Sequence, residues 1–122
     1  MAATYNNLYL DARKRLREAG VEGAQLEARE LVCCAAGKSR EQFYRDMALY
    51  ASDPVEEKLA ELLERRLAGE PVAYLIGEWE FYGLGLDITP DVLIPRMDTE
   101  VLAERAILLA RAAGEGARVL DL

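Results

Sequence analysis

The sequence predicts a mainly α protein: a small N-terminal helical bundle, then a β-hairpin, then one helix and the first strand of an α/β domain. Three observations lead to this fold class. Apolar residues recur every three or four positions as far as Leu67, and then alternate with other residues from Trp79 to Ile88. A last helical segment is followed by a short, nearly continuous apolar run from Arg118 to Leu122.

The first two helices are predicted from apolar residues at helical spacing. One runs from about Asn7 to Ala19 and the other from about Gly23 to Ala36. Each is followed by a glycine, at Gly20 and Gly37, and glycine readily adopts the left-handed conformation that ends many helices. The second helix is rich in small residues, which indicates close packing against its neighbours.

Two further helices are predicted from their start signals. Ser39 and Gln42 have the spacing of a capping box, in which each side chain satisfies a backbone N–H at the start of a helix, here a short one to about Asp46. Asp53 is expected to cap the next helix, with Pro54 at its first helical position. Four helices in this length are enough for a small bundle.

The spacing of apolar residues changes at Glu70 from a helical to a strand period. Trp79 and Phe81 alternate with acidic residues, and Tyr82-Gly83 lies where the chain should turn. We therefore expect a β-hairpin. An isolated hairpin is only marginally stable in water, so this one should pack on another part of the protein.

Residues 92–100 join the hairpin to a last helix. Pro95 restricts the backbone, and Asp98 or Thr99 is expected to cap the helix. Arg96 is then presented from a stiff turn, where it can bind a carboxylate or connect two segments. A local ion pair with a neighbouring acid is the alternative, and spacing alone favours it.

The last helix is predicted to carry an apolar stripe that includes Leu102 and Leu109, and to end near Gly114. Asp121 then lies in the predicted buried parallel strand, at the place where a nucleotide-type cofactor site often begins, although a solvated strand end is the commoner case. Because a parallel strand needs neighbours, we expect the chain to be the front part of a longer protein. Without those neighbours the strand should fray or pair with another copy.

Composition argues against several kinds of function. The net charge is −7, so a non-specific grip on nucleic acid is not expected, and the basic cluster at residues 13–17 is interpreted as a solvated helix face. Cys33 and Cys34 are the two cysteines and histidine is absent, so we expect no metal site, no disulfide framework and no histidine-based triad. No apolar run could span a membrane and no signal-peptide pattern is found, which predicts a cytoplasmic protein without membrane contact.

Three blocks and the C-terminal run together resemble a known family. The blocks are Gly69 to Gly77, Glu80 to Leu84 and Val92 to Glu100, and the run is Val119 to Leu122. In this order and spacing they are similar to the N-terminal part of the HemK/PrmC family. Its members methylate the glutamine of the Gly-Gly-Gln motif in class 1 peptide-chain release factors. Met97 departs from the pattern, since the family usually has a second proline there, and a less rigid turn is expected.

The resemblance implies three parts. Residues 1–69 would be a helical domain that binds the release factor, residues 70–91 a β-hairpin linker, and residues 92–122 the truncated start of a Rossmann-like methyltransferase domain that uses S-adenosylmethionine. The family's glycine-rich cofactor loop would begin directly after Leu122, and its Asn-Pro-Pro-Tyr catalytic loop would lie further on. No catalytic residue is therefore expected within these 122 residues.

The resemblance also assigns roles to four residues. Arg96, Thr99 and Glu100 would line or brace the rim of the substrate and cofactor pocket, and Asp121 would mark the start of the cofactor loop. An amide nitrogen is a poor nucleophile because its lone pair is delocalised, so methyl transfer needs positioned hydrogen-bond acceptors. The family's catalytic loop supplies them. We therefore expect the 122-residue chain alone to be inactive and to bind no S-adenosylmethionine.

Two other functions stay open on the sequence. One is a stand-alone helical adaptor that binds a protein and has no catalytic domain. The other is a related methyltransferase that acts on a ribosomal-protein glutamine or on nucleic-acid bases, although the negative charge argues against nucleic acid.

Overall fold

The computed structural model describes residues 3–122, in which the chain forms six helices and a two-stranded antiparallel sheet. The helices are α1 (Tyr5–Glu18), α2 (Ala24–Ala36), α3 (Arg40–Arg45), α4 (Asp53–Leu67), α5 (Val72–Ile76) and α6 (Met97–Ala113), and the strands are β1 (Glu78–Phe81) and β2 (Leu84–Asp87). The predicted mainly helical fold class with its hairpin is confirmed. Among these helices none is both long and apolar enough to cross a membrane.

The chain divides into two compact units. The helical unit ends at Ile76 and contains α1 to α5, and the C-terminal unit begins at Gly77 and contains the hairpin and α6. The three-part division expected from the resemblance, with boundaries after residues 69 and 91, stays a prediction.

The core of the helical unit is built around α2, which contacts α1, α3, α4 and α5. Its buried face carries Ala24, Ala28, Leu31 and Val32, the last three of them fully buried. Small side chains on this face let the neighbouring helices approach closely, as the composition of α2 predicts. The large side chains that fill the space around it come mainly from the neighbours, and they are Leu16, Phe43, Leu59, Leu62 and Leu63.

The ends of α1 and α3 are stabilised largely as predicted. The N–H of Asn7 donates to Thr4 Oγ1 at 3.1 Å, which starts α1 slightly earlier than expected. Gly20 has a φ of +84°, and the N–H of Val21 donates to the carbonyl of Leu16, so the predicted glycine cap of α1 is confirmed. The capping box of Ser39 that starts α3 is also confirmed, with both hydrogen bonds present.

Two predictions for the helical unit are wrong. Asp53 does not cap α4: it is the first residue of the helix, the cap position falls on Ser52, and no side chain there bonds to the backbone. The strand period expected from Glu70 onwards does not begin there, because α5 forms first. Val72 and Ala73 of α5 are buried, and α5 packs on α2 and α4, so tertiary packing decides its conformation.

A buried carboxylate connects α3 to the start of α1. Asp46 is 7% exposed, and its carboxylate accepts hydrogen bonds from Lys38 Nζ at 2.7 Å and from Arg45 Nε and Nη2 at 2.9 and 3.0 Å. The ammonium of Lys38 also lies 5.1 Å from the centroid of the Tyr5 ring. The guanidinium of Arg45 and the ammonium of Lys38 hold the pKa of the Asp46 carboxyl far below its usual range.

The C-terminal unit contains the predicted hairpin, in which β1 and β2 pair antiparallel with Phe81 opposite Leu84. Tyr82 and Gly83 form the two-residue loop with φ values of +49° and +78°. Positive φ at both positions is typical of the tight turns that match strand twist. Trp79 and Phe81 are half-buried between exposed neighbours, so the predicted alternation along β1 is confirmed.

The last segments differ from expectation. No residue of α6 is buried, and Leu102 and Leu109 of its predicted apolar stripe are 69% and 58% exposed. Residues 118–122 form no strand in the structure, and all of them are exposed. The predicted strand at Arg118 to Leu122 is therefore not formed; this agrees with the expectation that it frays without hydrogen-bonding neighbours, since the described sheet consists of β1 and β2.

The central role of α2 predicts a large difference between two leucines on the same helix. Leu31 is fully buried, whereas Leu26 is 43% exposed. We expect Leu31→Ala to lower the free energy of unfolding by about 2–5 kcal/mol, because it leaves a cavity. Leu26→Ala should change it by no more than about 0.5 kcal/mol. Urea denaturation of both variants checks this, and equal losses would contradict the assignment of the core.

The ion pairs of Asp46 predict a pH dependence. Because the pKa of Asp46 is lowered in the folded state, its ionised form stabilises the fold above its ordinary pKa, and this contribution is lost as the pH falls from about 5. We expect Asp46→Asn to melt at a lower temperature than wild type at pH 7, with a difference that narrows steadily in acid. Asp11→Asn, an exposed change on α1, is the control. A difference that is constant with pH would refute the role of these ion pairs.

Candidate functional site

The candidate site lies in the C-terminal unit, at the first turn of α6. Arg96 has an extended backbone, with φ −106° and ψ 157°, and occupies the N-cap position. Its carbonyl accepts hydrogen bonds from the N–H of Thr99 at 3.0 Å and of Glu100 at 3.3 Å. The prediction that Asp98 or Thr99 caps this helix is wrong, since both lie inside α6 and no side chain makes a capping hydrogen bond there.

Glu100 connects the start of α6 to the turn of the hairpin. Its Oε1 accepts a hydrogen bond of 2.8 Å from the backbone N–H of Tyr82. The negative charge of the acceptor strengthens this bond. The bond holds the turn at Tyr82, whose φ is positive, a backbone conformation that residues other than glycine rarely adopt. Glu100 is half-buried, so this contact is partly shielded from water.

The first turn of α6 brings Arg96, Thr99 and Glu100 together, whereas no hydrogen bond or ion pair within residues 3–122 joins Asp121 to them. Within residues 3–122 the guanidinium of Arg96 makes no hydrogen bond or ion pair, so the local ion pair that spacing favoured is not formed. Arg96 and Thr99 are both exposed. Asp121 is exposed and its carboxylate has no partner in the part of the chain that the structure describes.

Tyr82 is the member of this arrangement that sequence reasoning missed. It was predicted as a turn residue, but its contact with a side chain 18 positions later carries no local signal. The Tyr-Gly pair at the turn showed where a positive φ was needed. It did not show which group would satisfy the N–H there.

The described residues offer little chemistry of other kinds. They contain no cluster of metal-binding side chains. Cys33 is buried, and burial, with a smaller contribution from the negative charge of Glu30, raises the pKa of its thiol to about 11. It is therefore a thiol and not a reactive thiolate at neutral pH.

Comparison with known proteins assigns the family. Residues 7–77 match the model of the PrmC N-terminal domain. The chain belongs to this family. The resemblance to HemK/PrmC proteins predicted from the sequence is thereby confirmed, and the match covers almost the whole of the helical unit together with the first residue of the C-terminal unit.

Individual relatives extend the similarity into the C-terminal unit. The chain is 38% identical over all 122 residues to the release factor glutamine methyltransferase of Vibrio cholerae, which it covers to 42%. It is 48% identical to the release factor glutamine methyltransferase of Bordetella pertussis over 104 residues. The match covers 80% of the chain and 36% of that relative. The chain is 44% identical to the release factor glutamine methyltransferase of Haemophilus influenzae over 89 residues. These residues make up 73% of the chain and 30% of the length of that relative. The chain thus spans less than half the length of these relatives.

Within residues 3–122 the structure shows no strand or helix at the place where the resemblance puts the start of the cofactor loop. Asp121, the residue expected to begin the cofactor loop, stands in an exposed segment without regular structure. A nucleotide-type cofactor needs converging backbone N–H groups at a strand–helix junction, and residues 118–122 offer none. The candidate site within residues 3–122 therefore consists of two exposed residues, Arg96 and Thr99, beside Glu100, whose carboxylate bonds to the turn of the hairpin.

The contact between Glu100 and the turn can be tested by hydrogen exchange. Glu100→Ala removes the acceptor of the Tyr82 N–H, so we expect this amide to exchange about three to ten times faster, the effect of losing one hydrogen bond. Glu104→Ala, an exposed change on the same helix, should leave the rate unchanged. NMR measures both rates, and unchanged exchange in Glu100→Ala would show that the contact is absent in solution.

Proposed function

We propose that this chain is the N-terminal part of an S-adenosylmethionine-dependent protein methyltransferase. The substrate would be the side-chain amide of the glutamine in the Gly-Gly-Gln motif of class 1 peptide-chain release factors. The carrying observation is the match of residues 7–77 to the PrmC N-terminal domain, supported by relatives with the name release factor glutamine methyltransferase. Within this enzyme, the helical unit docks the release factor.

The chemistry of the helical unit favours a docking role over a catalytic one. The described part of this unit contains no metal-binding cluster, and the thiol of Cys33 is buried and protonated at neutral pH. The strongly shifted carboxyl of Asp46 is already engaged by two cations that stabilise the fold. A domain with its own core, whose strongly shifted carboxyl is already engaged in the fold, is suited to binding a protein partner.

The exposed surface of the C-terminal unit favours its interpretation as the start of a second domain. Its helix α6 exposes Val101, Leu102, Leu108 and Leu109, each of them more than half exposed. A helix with so much exposed apolar surface gains stability when another layer of structure covers it. We assign Arg96, Thr99 and Glu100 to the rim of the methyltransferase pocket. Cofactor binding and catalysis belong to residues outside these 122, in a cytoplasmic protein.

The docking role predicts that the 122-residue chain binds a purified class 1 release factor without any cofactor. We expect a dissociation constant in the micromolar range, about 1–100 μM, as for a modest protein interface. Isothermal titration calorimetry measures it. The release factor with its Gly-Gly-Gln glutamine changed to alanine should bind equally well, because that side chain is the reaction centre and not the docking surface.

A double variant in the C-terminal unit tests whether the helical unit carries the binding. Leu102→Ala combined with Leu109→Ala changes only the C-terminal unit and should bind as wild type does. Failure of the wild-type chain to bind, with its helical content verified by circular dichroism, would refute the docking role and favour an adaptor for a different protein. Inactivity of the chain alone and its lack of affinity for S-adenosylmethionine stay predictions.

A further inference from the structure

Four positive charges on α1 make no ion pair within the described part of the chain. They are Arg13, Lys14, Arg15 and Arg17, which lie within five positions. Acids are not scarce, since the chain has 22 acidic residues against 15 basic ones. The ion pairs of the helical unit use other cations, which are Arg29, Lys38, Arg45, Arg65 and Arg66.

Three of these cations share one surface with an exposed leucine. An open depression on α1, named here the α1 groove, is lined by Leu10, Arg13, Lys14, Arg17 and Glu18. The core-facing residues of α1, Ala12 and Leu16, are not among them, so the groove is separate from the packing of the bundle. Such a surface combines three positive charges and the negative charge of Glu18 with apolar area, so its net charge is positive.

Two details make the groove more than a set of mobile charges. The guanidinium carbon of Arg13 lies 5.5 Å from the centroid of the Tyr9 ring, a contact that restricts its side chain. Leu10, one turn before Arg13 and Lys14 on α1, is 39% exposed, which leaves apolar surface beside the cations for a contact of its own. A restricted arginine loses less entropy when it binds a carboxylate than a freely moving one.

We propose that the α1 groove binds an acidic segment of the docked protein, with its carboxylates on Arg13 and Arg17 and an apolar side chain on Leu10. The inference rests on the proposed function, in which that protein is a release factor. The charge of the chain supports the choice: the chain as a whole carries a net charge of −7, whereas the α1 groove has three cations and one acid. A local basic surface would therefore direct such a partner to one place.

A protein segment fits this surface better than RNA does. Single-stranded nucleic acid is usually held by aromatic stacking combined with a long basic track, and no aromatic side chain lines the groove. Three cations neutralise few phosphates, and the net charge opposes a polyanion. A short acidic and apolar peptide segment matches both the size and the composition of the groove.

Two double variants with equal loss of charge test the proposal. Arg13→Gln with Arg17→Gln removes two cations of the groove. Arg15→Gln with Arg40→Gln removes two cations outside it that likewise make no described ion pair. Affinity for a class 1 release factor is measured by calorimetry at low and at physiological salt. We expect the first variant to bind about tenfold more weakly with a reduced salt dependence, and the control to change less than about twofold.

The possible outcomes separate this inference from the proposed function. Wild-type affinity in both variants would overturn the groove and leave docking by another face intact. An equal loss in both would show non-specific attraction and also overturn it. No binding by the wild-type chain would overturn the groove and the proposed function together. Binding of a single-stranded RNA oligonucleotide that depends on Arg13 and Arg17, without release factor binding, would overturn the choice of a protein segment. Melting curves verify that both variants fold.

Discussion

Burial of one face of α2 is the interaction on which the helical unit depends. Four other helices contact α2, and Ala28 at the centre of its buried face is completely enclosed. A larger side chain there would force the neighbours apart, because a packed core tolerates extra volume poorly. The outer faces of those neighbours are positioned by the same contact. The position of the α1 groove therefore depends on the core of the helical unit, although none of the residues that line the groove is buried in that core.

The fold could be predicted wherever a pattern extended over several turns. The stripes of α1 and α2 gave bounds within about two residues, since each is long enough to show a helical period. The segment Val72–Ile76 is a run of five apolar and aromatic residues, too short to separate a helix from a buried strand by spacing. Its contacts with α2 and α4 decide that it forms a helix, and those contacts join residues distant in sequence.

The errors at helix starts have a different cause. Asp53 and Thr99 belong to the residue types that cap helices, but a cap needs a hydrogen bond as well as a suitable residue. At the starts of α4 and α6 no side chain makes a capping hydrogen bond, so the preference of Asp and Thr for the cap position did not decide where these helices begin. At α3 both bonds of the capping box form, and there the prediction was accurate.

The candidate site was predictable as a set of residues but not as an arrangement. The motif from Val92 to the acid at position 100 placed Arg96, Thr99 and Glu100 near one another, because neighbours at a helix start are close whatever the tertiary fold. The bond from Tyr82 to Glu100 depends on how the hairpin returns to α6, which no local pattern encodes.

That bond distinguishes Glu100 from Arg96. A tyrosine in the left-handed region costs about 1 kcal/mol, and a charge-assisted hydrogen bond to its N–H offsets this cost. One oxygen of Glu100 is therefore already occupied in holding the turn against α6. The guanidinium of Arg96 has no partner among residues 3–122, and it stands at a cap position whose carbonyl is fixed by two backbone bonds. Of the three, Glu100 serves the structure of the C-terminal unit, and Arg96 has the full set of donors available for an anionic or carbonyl group of a ligand.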